Sequence, residues 1–522
     1  MVERPTCPRC GKPMYRSSRA QSGKLRWRCA TKKNGVETLC YQTTDPSKPV
    51  RGKQNIERMP EFKAPIVSTR IVLTWAQNAT PVHKGFWAAL KAYAKAQSAQ
   101  LMVMPGRYRN PTSMWTANDE SQLWWADEVK PYLCNQRKKL HPHLIFLADV
   151  NTQPTAVRPL SGFEGLTHAE SGVLGHPKLQ LECVPTPQQR LPKVLTTTGA
   201  VTVPNYTDSK AGKKGGFHHV HGAVVVELDG SSFHLRHLNA RSDGAFIDLD
   251  RAYYPDGSVK PAGPYEAVVF GDTHVRFIDK ALEQATFGPK GLVERLNPKA
   301  LVFHDLLDSY AVNPHHQLKP FIAVAKRRAA YDDVHSEVLE ACDWLANHAG
   351  KRQAYVVSSN HNDFLARWLD RSDWRLDPEN AEFYLETALH LVRSAKMSKS
   401  GAVIADPFKF WGERLLKGAS NIRFLGRSES LNIAGVECSL HGDQGPNGAR
   451  GNRTNLSKIG AKTIVGHSHT PGITEGCYQT GTSTPLQLEY TGSVGSWLNC
   501  HASLDNMGKR HLHIFVSGGF WR

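Results

Sequence analysis

Five short apolar runs in the second half of the chain each end in residues that can bind a metal ion. Each run has the length and composition of a buried strand. The residues at the five endings are, in chain order, Asp272 and His274, then Asp305, then Asn360 and His361, then His441, and finally His467 and His469. Open α/β sheets bind ligands at the carboxyl ends of their strands, so the pattern constrains the chain to a sheet with its functional loops at one edge.

The segments between the runs favour helices, for example residues 332–349. Strands that alternate with helices predict a parallel or mixed sheet, and therefore an α/β (multidomain α+β) protein. Each ending also has a structural interpretation by itself, since Asp305 can cap a helix, Asn360 can shape a turn, and most single histidines are structural. The recurrence of five endings in order argues against coincidence.

The five motifs resemble, in the same order, those of the calcineurin-like metallophosphoesterase superfamily. They are GDTH, HDLLD, SNHND, LHGD and GHSHTP. The second motif is more similar to the DNA-repair nuclease branch than to the protein phosphatases. The resemblance covers roughly residues 264–522 and implies a metallophosphoesterase-type αββα sandwich as a domain over residues 261–522.

This resemblance also implies the roles of individual residues at a centre of two divalent ions. Mn²⁺ is favoured, and Mg²⁺, Fe and Zn²⁺ are alternatives. Asp305 would bridge the two ions, which together activate water and neutralise the phosphate. The remaining ligands would be Asp272, His274 and His469 for one ion, and Asn360, His441 and His467 for the other. The general acid would be His361, and Asp363 the carboxylate that orients it.

Two motifs depart from the family pattern. His304 stands where the family has glycine before the second aspartate. Asn362 follows His361 where the family has an acidic residue, so that role is either shifted to Asp363 or taken by Asn362. A long insertion separates His361 from His441. These departures leave open a weakened catalytic site.

Residues 1–45 predict a separate module of the zinc-ribbon type that holds one structural zinc. The ligands would be Cys7, Cys10, Cys29 and Cys40, with the spacing C-x2-C-x18-C-x10-C. The first pair suits a zinc knuckle, whereas the second is widely spaced, so a redox dithiol or unrelated cysteines are alternatives. Basic residues lie between the cysteines together with Trp27, which favours contact with a DNA backbone. The residues expected to contact DNA are Arg16, Arg19, Lys24, Arg26 and Arg28.

The middle of the chain carries no motif of known chemistry. Residues 46–68 are polar, basic and rich in proline, which predicts a linker. Residues 69–260 predict an α/β domain with a β-rich second half, since residues 69–77 and 101–106 have strand composition and residues 80–97 that of an amphipathic helix. This segment lacks a G-x-G-x-x-G or Walker loop, so nucleotide binding has no support there, and its function stays unassigned.

The charge of the chain points to a polyanionic partner. A net charge of +18 and an isoelectric point near 9.4 favour binding to phosphates through counterion release. An apolar run of about 20 residues and a signal peptide are both absent from the sequence, which predicts a cytoplasmic protein without a membrane span. Ten cysteines at low density fit reduced thiols better than a disulfide framework.

The layout of the chain also resembles the early-expressed DNA-transfer proteins of T5-like bacteriophages. The resemblance rests on residues 74–90, residues 101–113 and the phosphoesterase motifs after them. It implies a role in host-DNA degradation and DNA transfer in the host bacterial cytoplasm. The expected function is a metal-dependent DNA nuclease, with DNA as partner, a homo-oligomer of at least two chains, and another phage early protein as a further partner. The alternatives are a phosphoesterase acting on nucleotides or phosphoproteins, and a catalytically weak DNA-binding scaffold or regulator.

Overall fold

The computed structural model describes the greater part of the chain. The described residues are 4–7, 12–19, 25–33, 36–43, 61–110, 112–113, 123–187, 190–397, 406–488 and 491–516, with the backbone alone for 18–19, 25, 30–33 and 36–43. The chain divides into two compact units, residues 1–60 and 61–522. The first unit contains an antiparallel sheet of three strands in the order β1-β2-β3, formed by Tyr15–Arg19, Leu25–Lys33 and Val36–Thr43.

The second unit begins with a region of mainly short strands. Its elements are β4 Arg70–Gln77, α1 Lys84–Ala96, β5 Gln100–Gly106, β6 Lys138–His141, β7 Leu144–Phe146, β8 Ser171–Leu174, β9 Gln180–Val184, β10 Thr186–Pro187, β11 Lys193–Thr197, α2 Lys210–Phe217, β12 Gly222–Asp229, β13 Ser232–Asn239, β14 Phe246–Asp248, β15 Arg251–Tyr253 and β16 Val259–Pro261. The helix α1 connects the parallel strands β4 and β5, and these strands lie in a sheet of order β13-β12-β4-β5.

The remainder of the second unit alternates strands and helices. Its elements are β17 Ala267–Val269, α3 Lys280–Phe287, α4 Leu292–Leu296, β18 Ala300–Phe303, α5 Pro320–Arg328, α6 Val334–Ala349, β19 Gln353–Val356, α7 Asn360–Arg371, α8 Ala381–Met397, α9 Pro407–Leu415, β20 Ile422–Phe424, β21 Asn432–Ile433, β22 Val436–Glu437, α10 Arg453–Leu456, β23 Lys462–Val465, β24 Gly472–Thr474, β25 Cys477–Gln479, β26 Val494–Gly495, β27 Cys500–Leu504 and β28 Arg510–Ile514. The predicted α/β class is confirmed.

Two sheets position the residues of the five motifs. A six-stranded sheet has the order β20-β19-β18-β17-β27-β28, and its strands β17, β18, β19 and β20 run parallel. The three residues of β17 and the four of β18 are buried, as expected for parallel strands covered on both faces. At the end of these strands the rings of Phe270 and Phe303 stack with centroids 4.7 Å apart.

A ten-stranded sheet joins the two regions of the second unit. Its order is β21-β22-β23-β25-β24-β9-β11-β8-β7-β6. The antiparallel pair of β9 and β24 aligns Leu181 with Ile473. The salt bridge between Lys178 Nζ and Glu475 Oε1, at 2.9 Å, lies next to this pair. A division of the chain at residue 260 therefore passes through one hydrogen-bonded sheet. Among the described helices, none has both the length and the apolar composition needed to cross a bilayer.

A buried ionic network stabilises the four-stranded sheet and suggests a stability test. The guanidinium of Arg236 contacts Asp248 at 2.5 Å and 2.8 Å and also bonds to Glu227, and both carboxylates are buried. We expect Arg236→Met to lower the free energy of unfolding by about 3–5 kcal/mol, because it leaves the buried carboxylate of Asp248 without its cation and Glu227 with Arg70 alone. Urea denaturation measures the change. The control Arg241→Met removes a half-exposed pair with Asp243 and should change the stability by less than about 1 kcal/mol.

Candidate metal centre

The polar residues that end the apolar runs converge on one site. Asp272 follows β17 and Asp305 follows β18, both on the six-stranded sheet, while Asn360 begins α7 directly after the end of β19. From the ten-stranded sheet, His467 follows β23 and His441 follows β22. Two sheets therefore contribute side chains to a single centre.

One group of donors can hold a metal ion. The donor atoms of Asp272, His274, Asp305 and His469 all lie within 4.8 Å of one another, and all four residues are buried. His469 Nε2 lies 3.0 Å from Asp272 Oδ2 and 3.3 Å from His274 Nε2. Two imidazole nitrogens that face each other at this distance can share at most one proton, whereas both can bind a cation placed between them.

A second group of donors converges beside the first. Asn360 Oδ1 lies 3.1 Å from His441 Nε2 and 3.1 Å from His467 Nδ1. His441 Nε2 is also 3.2 Å from Asp305 Oδ2, which itself lies 3.8 Å from His274 Nε2. The carboxylate of Asp305 is therefore common to both groups, as the sequence-based assignment of a bridging ligand requires.

The electrostatics of the site fit cations. Asp305 Oδ1 is buried and has no hydrogen-bond partner within the described residues. Burial by itself would lower the pKa of His274. Asp308, through a hydrogen bond and its charge, together with the charges of Asp305 and Asp272, outweighs this effect and raises the pKa of His274 to about 9. Burial is likewise outweighed at His441, where Asp305 raises the pKa to about 9. The buried carboxylates thus stabilise positive charge in the site, and divalent ions would supply that charge.

The backbone at these donors is strained. His274, Asp305, His467 and His469 have φ values of 45°, 42°, 76° and 56°, in the left-handed region that side chains with a β-carbon rarely adopt. Such conformations cost of order 1–3 kcal/mol each and persist where the surroundings impose them, mostly at functional sites. Gly466 is required by close packing, since a β-carbon there would lie 2.3 Å from Asp272 Oδ1.

The side chain of His361 lies next to the first donor group. Its ring centroid is 4.7 Å from that of His274, and its Nδ1 is 2.5 Å from the backbone oxygen of Asp308. The carboxylate of Asp308 approaches the same two rings, with Oδ1 2.8 Å from His274 Nδ1 and 3.7 Å from His361 Nδ1. Asp308 therefore contacts both imidazoles on the Nδ1 side, the position from which a carboxylate can orient a metal-binding or proton-donating ring.

Asp363, which was predicted to orient His361, pairs with a different side chain in the structure. Its carboxylate accepts a hydrogen bond from Arg427 at 2.7 Å, and Arg427 also bonds to Asp443 at 2.9 Å. The prediction moved the family's acidic residue along the sequence, but the chain supplies the acidic partner of His361 from the loop after β18. His304, at the position of the family's glycine, is fully buried, and burial lowers its pKa to about 4.

An Asp308→Asn substitution distinguishes the two assignments. Replacing the carboxylate that contacts His274 and His361 should reduce metal affinity or turnover by about 10–100-fold, as for other residues that orient metal ligands. Asp363→Asn, the matched control, should reduce turnover by at most about fivefold, because it removes only a partly exposed pair with Arg427. Metal titration and hydrolysis of a phosphodiester measure both effects. A larger loss in Asp363→Asn than in Asp308→Asn would restore the original assignment.

The predicted zinc and DNA-binding residues of the first unit are only partly described. Cys7 and Cys29 are both buried and pack with Met14. The backbone N–H of Cys7 donates to Lys12 O at 2.7 Å. Cys10 and Lys24, and the side chains of Cys40 and Arg19, lie outside the described residues, so the zinc site stays a prediction.

Three of the five predicted DNA-binding residues have described side chains. Arg16 is exposed and lies over the ring of Trp27, 5.5 Å from its centroid. Arg28 donates to the hydroxyl of Tyr15 at 3.2 Å, and Arg26 is partly exposed. Contact of these residues with DNA stays a prediction.

Comparisons with known proteins give one relative that covers nearly the whole chain. No protein-family model matches the sequence. Over 512 residues the chain is 31% identical to "Protein A1" of Escherichia phage T5, and the match covers 92% of this chain and 90% of that protein.

Proposed function

The chain belongs to the family of protein A1 of Escherichia phage T5, and we propose that it is a metal-dependent phosphodiesterase that cleaves DNA. One observation carries the proposal. Two donor groups that share Asp305 meet at the carboxyl ends of parallel strands, and His361 lies beside them. Metal-dependent hydrolysis of phosphoesters uses this combination of a carboxylate common to two ions and a nearby proton donor.

The architecture supports a metallophosphoesterase-type sandwich for the second half of the chain. The six-stranded sheet supplies Asp272, Asp305 and Asn360, and the ten-stranded sheet supplies His441 and His467. Helices α6 and α7 follow the strands β18 and β19 in the sequence. This arrangement is what the resemblance of the five motifs implies, except that strands from residues 138–197 extend the second sheet.

The metal ligands and His361 have different proposed roles in the reaction. Two divalent ions held by the donor groups would neutralise the phosphate and activate the attacking water. The proposed role of His361 is to give a proton to the departing oxygen. Its Nδ1 is engaged by the backbone oxygen of Asp308, so Nε2 is the atom that carries this proton. Mixed carboxylate, amide and imidazole donors suit Mn²⁺, Fe or Zn²⁺ better than Mg²⁺ alone.

The choice of DNA as substrate rests on charge. The chain carries 65 Lys and Arg residues against 47 Asp and Glu residues, an excess that favours a polymer of phosphates over a small phosphoester. Arg16, Arg26 and Arg28 of the first unit lie on or next to strands that also present Trp27 and Tyr15, a combination that suits a nucleic-acid backbone.

Incubation of the purified protein with Mn²⁺ and either duplex DNA or a small chromogenic phosphodiester tests the proposal. We expect cleavage of DNA that a chelator abolishes. Hydrolysis of the small ester with intact DNA would replace the nuclease by a phosphoesterase for small or protein-bound phosphates. Hydrolysis of neither substrate by protein that retains bound metal would favour a DNA-binding scaffold.

Replacement of both Cys7 and Cys10 by serine tests the first unit separately. We propose that these thiols hold a structural zinc together with Cys29 and Cys40, so the double variant should release one zinc per chain. DNA affinity should fall and its dependence on salt concentration should become weaker, because fewer phosphates are contacted. Zinc analysis and binding titrations at several salt concentrations measure these effects. Unchanged affinity with loss of zinc would assign the module to folding or assembly.

A further inference from the structure

A cavity of about 550 Å³ opens beside the metal centre. Asp308, Asn360 and His361 form the part of its wall that it shares with the centre. Much of the remaining wall is aromatic and comes from Phe277, from the segment 310–319 and from α7. Its volume lies within the range of about 300–1,000 Å³ that is typical of sites for small organic groups.

The aromatic side chains of this cavity form two groups. In the first, the ring of Tyr310 makes edge contacts with Phe277 and His316, with centroids 4.9 Å and 5.0 Å apart. In the second, Phe364 contacts His361 at 4.8 Å and His315 at 5.9 Å. One site therefore offers several ring faces and edges, which is the arrangement that proteins use to stack nucleobases.

The backbone behind Tyr310 is held firmly. Its N–H donates to Glu337 Oε1 at 2.8 Å, and its carbonyl oxygen accepts from Lys326 Nζ at 2.5 Å. Glu337 also accepts from the N–H of Ala311 at 3.0 Å, and the ammonium of Lys326 lies 4.7 Å from the Tyr310 ring centroid. A ring fixed in this way loses little conformational entropy when a ligand stacks on it. The exposed side chain of Lys319 adds a positive charge to the cavity.

We propose that this aromatic cavity binds the unpaired base of the nucleotide next to the phosphate that is cleaved. The inference rests on the proposed function and narrows its substrate to DNA with an unpaired end or an unstacked base. A base inside a duplex is stacked on both faces and paired along its edge, so it must leave the helix before it can enter the cavity. His361 belongs to both the cavity wall and the proposed catalytic site, so such a base would belong to the nucleotide joined to the cleaved phosphate.

Fluorescence of 2-aminopurine tests base binding without hydrolysis. A single-stranded octanucleotide that contains one 2-aminopurine is titrated with the protein in the presence of a chelator, and stacking quenches the probe. We expect Tyr310→Leu and His315→Ala to weaken the quenched complex by about 5–100-fold, the range for loss of one stacking partner. His315 is exposed, so its replacement leaves the fold intact even if Tyr310→Leu does not. The matched control Phe321→Ala removes an aromatic ring that is 88% exposed and does not line the cavity.

Hydrolysis then separates failure of this inference from failure of the proposed function. With Mn²⁺, the wild-type protein should cleave the octanucleotide about 5–100-fold faster, in kcat/KM, than the same strand with one abasic residue, and His315→Ala should lose most of this preference. Cleavage of both strands at equal rates would overturn the base site and leave the nuclease standing. Absence of any cleavage, with quenching that depends on Tyr310 and His315, would overturn the nuclease and leave a base-binding cavity. Equal quenching by all variants overturns the base site by itself.

Discussion

Asp305→Asn is expected to lose the bound divalent ions and to reduce phosphodiester hydrolysis by at least about 1,000-fold, or about 4 kcal/mol of transition-state stabilisation. The carboxylate is common to both donor groups, with Oδ2 3.2 Å from His441 Nε2 and 3.8 Å from His274 Nε2. An amide keeps the shape of the side chain but removes the negative charge, and its nitrogen cannot bind a cation. This one substitution should therefore weaken the binding of both ions.

Metal analysis of the purified variant and hydrolysis of a chromogenic diester measure this effect. Asp250→Asn is the matched control, because Asp250 is a half-exposed carboxylate that pairs with Arg295 at 3.0 Å and not with the metal centre. Retention of two ions and of wild-type turnover in Asp305→Asn would refute the bridging assignment. Loss of the ions with retained turnover would show that hydrolysis occurs elsewhere.

His361→Ala should lower turnover by about 100–10,000-fold while leaving the metal content unchanged. His361 Nδ1 is bonded to the backbone oxygen of Asp308, and the ring lies beside His274, outside the two donor groups that share Asp305. Removal of a proton donor slows the hydrolysis of an ester with a poor leaving group more than that of an ester with a good one. The loss should therefore be large for DNA, whose leaving group is an alkoxide, and small for a p-nitrophenyl ester.

Comparison of the loss of turnover on DNA with that on the p-nitrophenyl ester provides the control for this variant. Equal losses on DNA and on the p-nitrophenyl ester would mean that His361 does not act as an acid. Loss of metal from His361→Ala would instead make it a ligand, together with His274 and Asp308, whose donor atoms lie within 4.8 Å of its own.

The candidate donors could be grouped from the sequence because each follows a strand of its own. A strand of buried residues such as β17 or β18 can be recognised locally, and parallel strands bring their carboxyl ends together wherever they lie in the sequence. Hence Asp272, Asp305 and Asn360 could be assigned to one site without knowledge of the contacts between them.

The remaining features depend on contacts that no local pattern encodes. Asp308 is the last residue of the HDLLD motif, but its contact with His361 depends on the approach of α7, which brings His361 to its backbone oxygen. The pairing of β9 with β24 joins residues about 290 positions apart. No local sequence pattern indicates this pairing, so the sequence alone could not argue against a domain boundary at residue 260. The aromatic cavity likewise combines Phe277, the segment 310–319 and α7, which are separate in the sequence.

The ten-stranded sheet also sets the order of events when the protein is made. Strand β9 pairs with β11 soon after both have been synthesised, but its other neighbour, β24, follows about 290 residues later, which at 5–20 residues per second is roughly 15–60 s. During that interval one edge of β9 has no partner from its own chain and is a place where chaperones or other nascent chains can bind. His467 and His469 come just before β24 in the sequence, so a nascent chain that has not yet reached them lacks part of both donor groups. The chemistry of the site can therefore begin only after both histidines have left the ribosome.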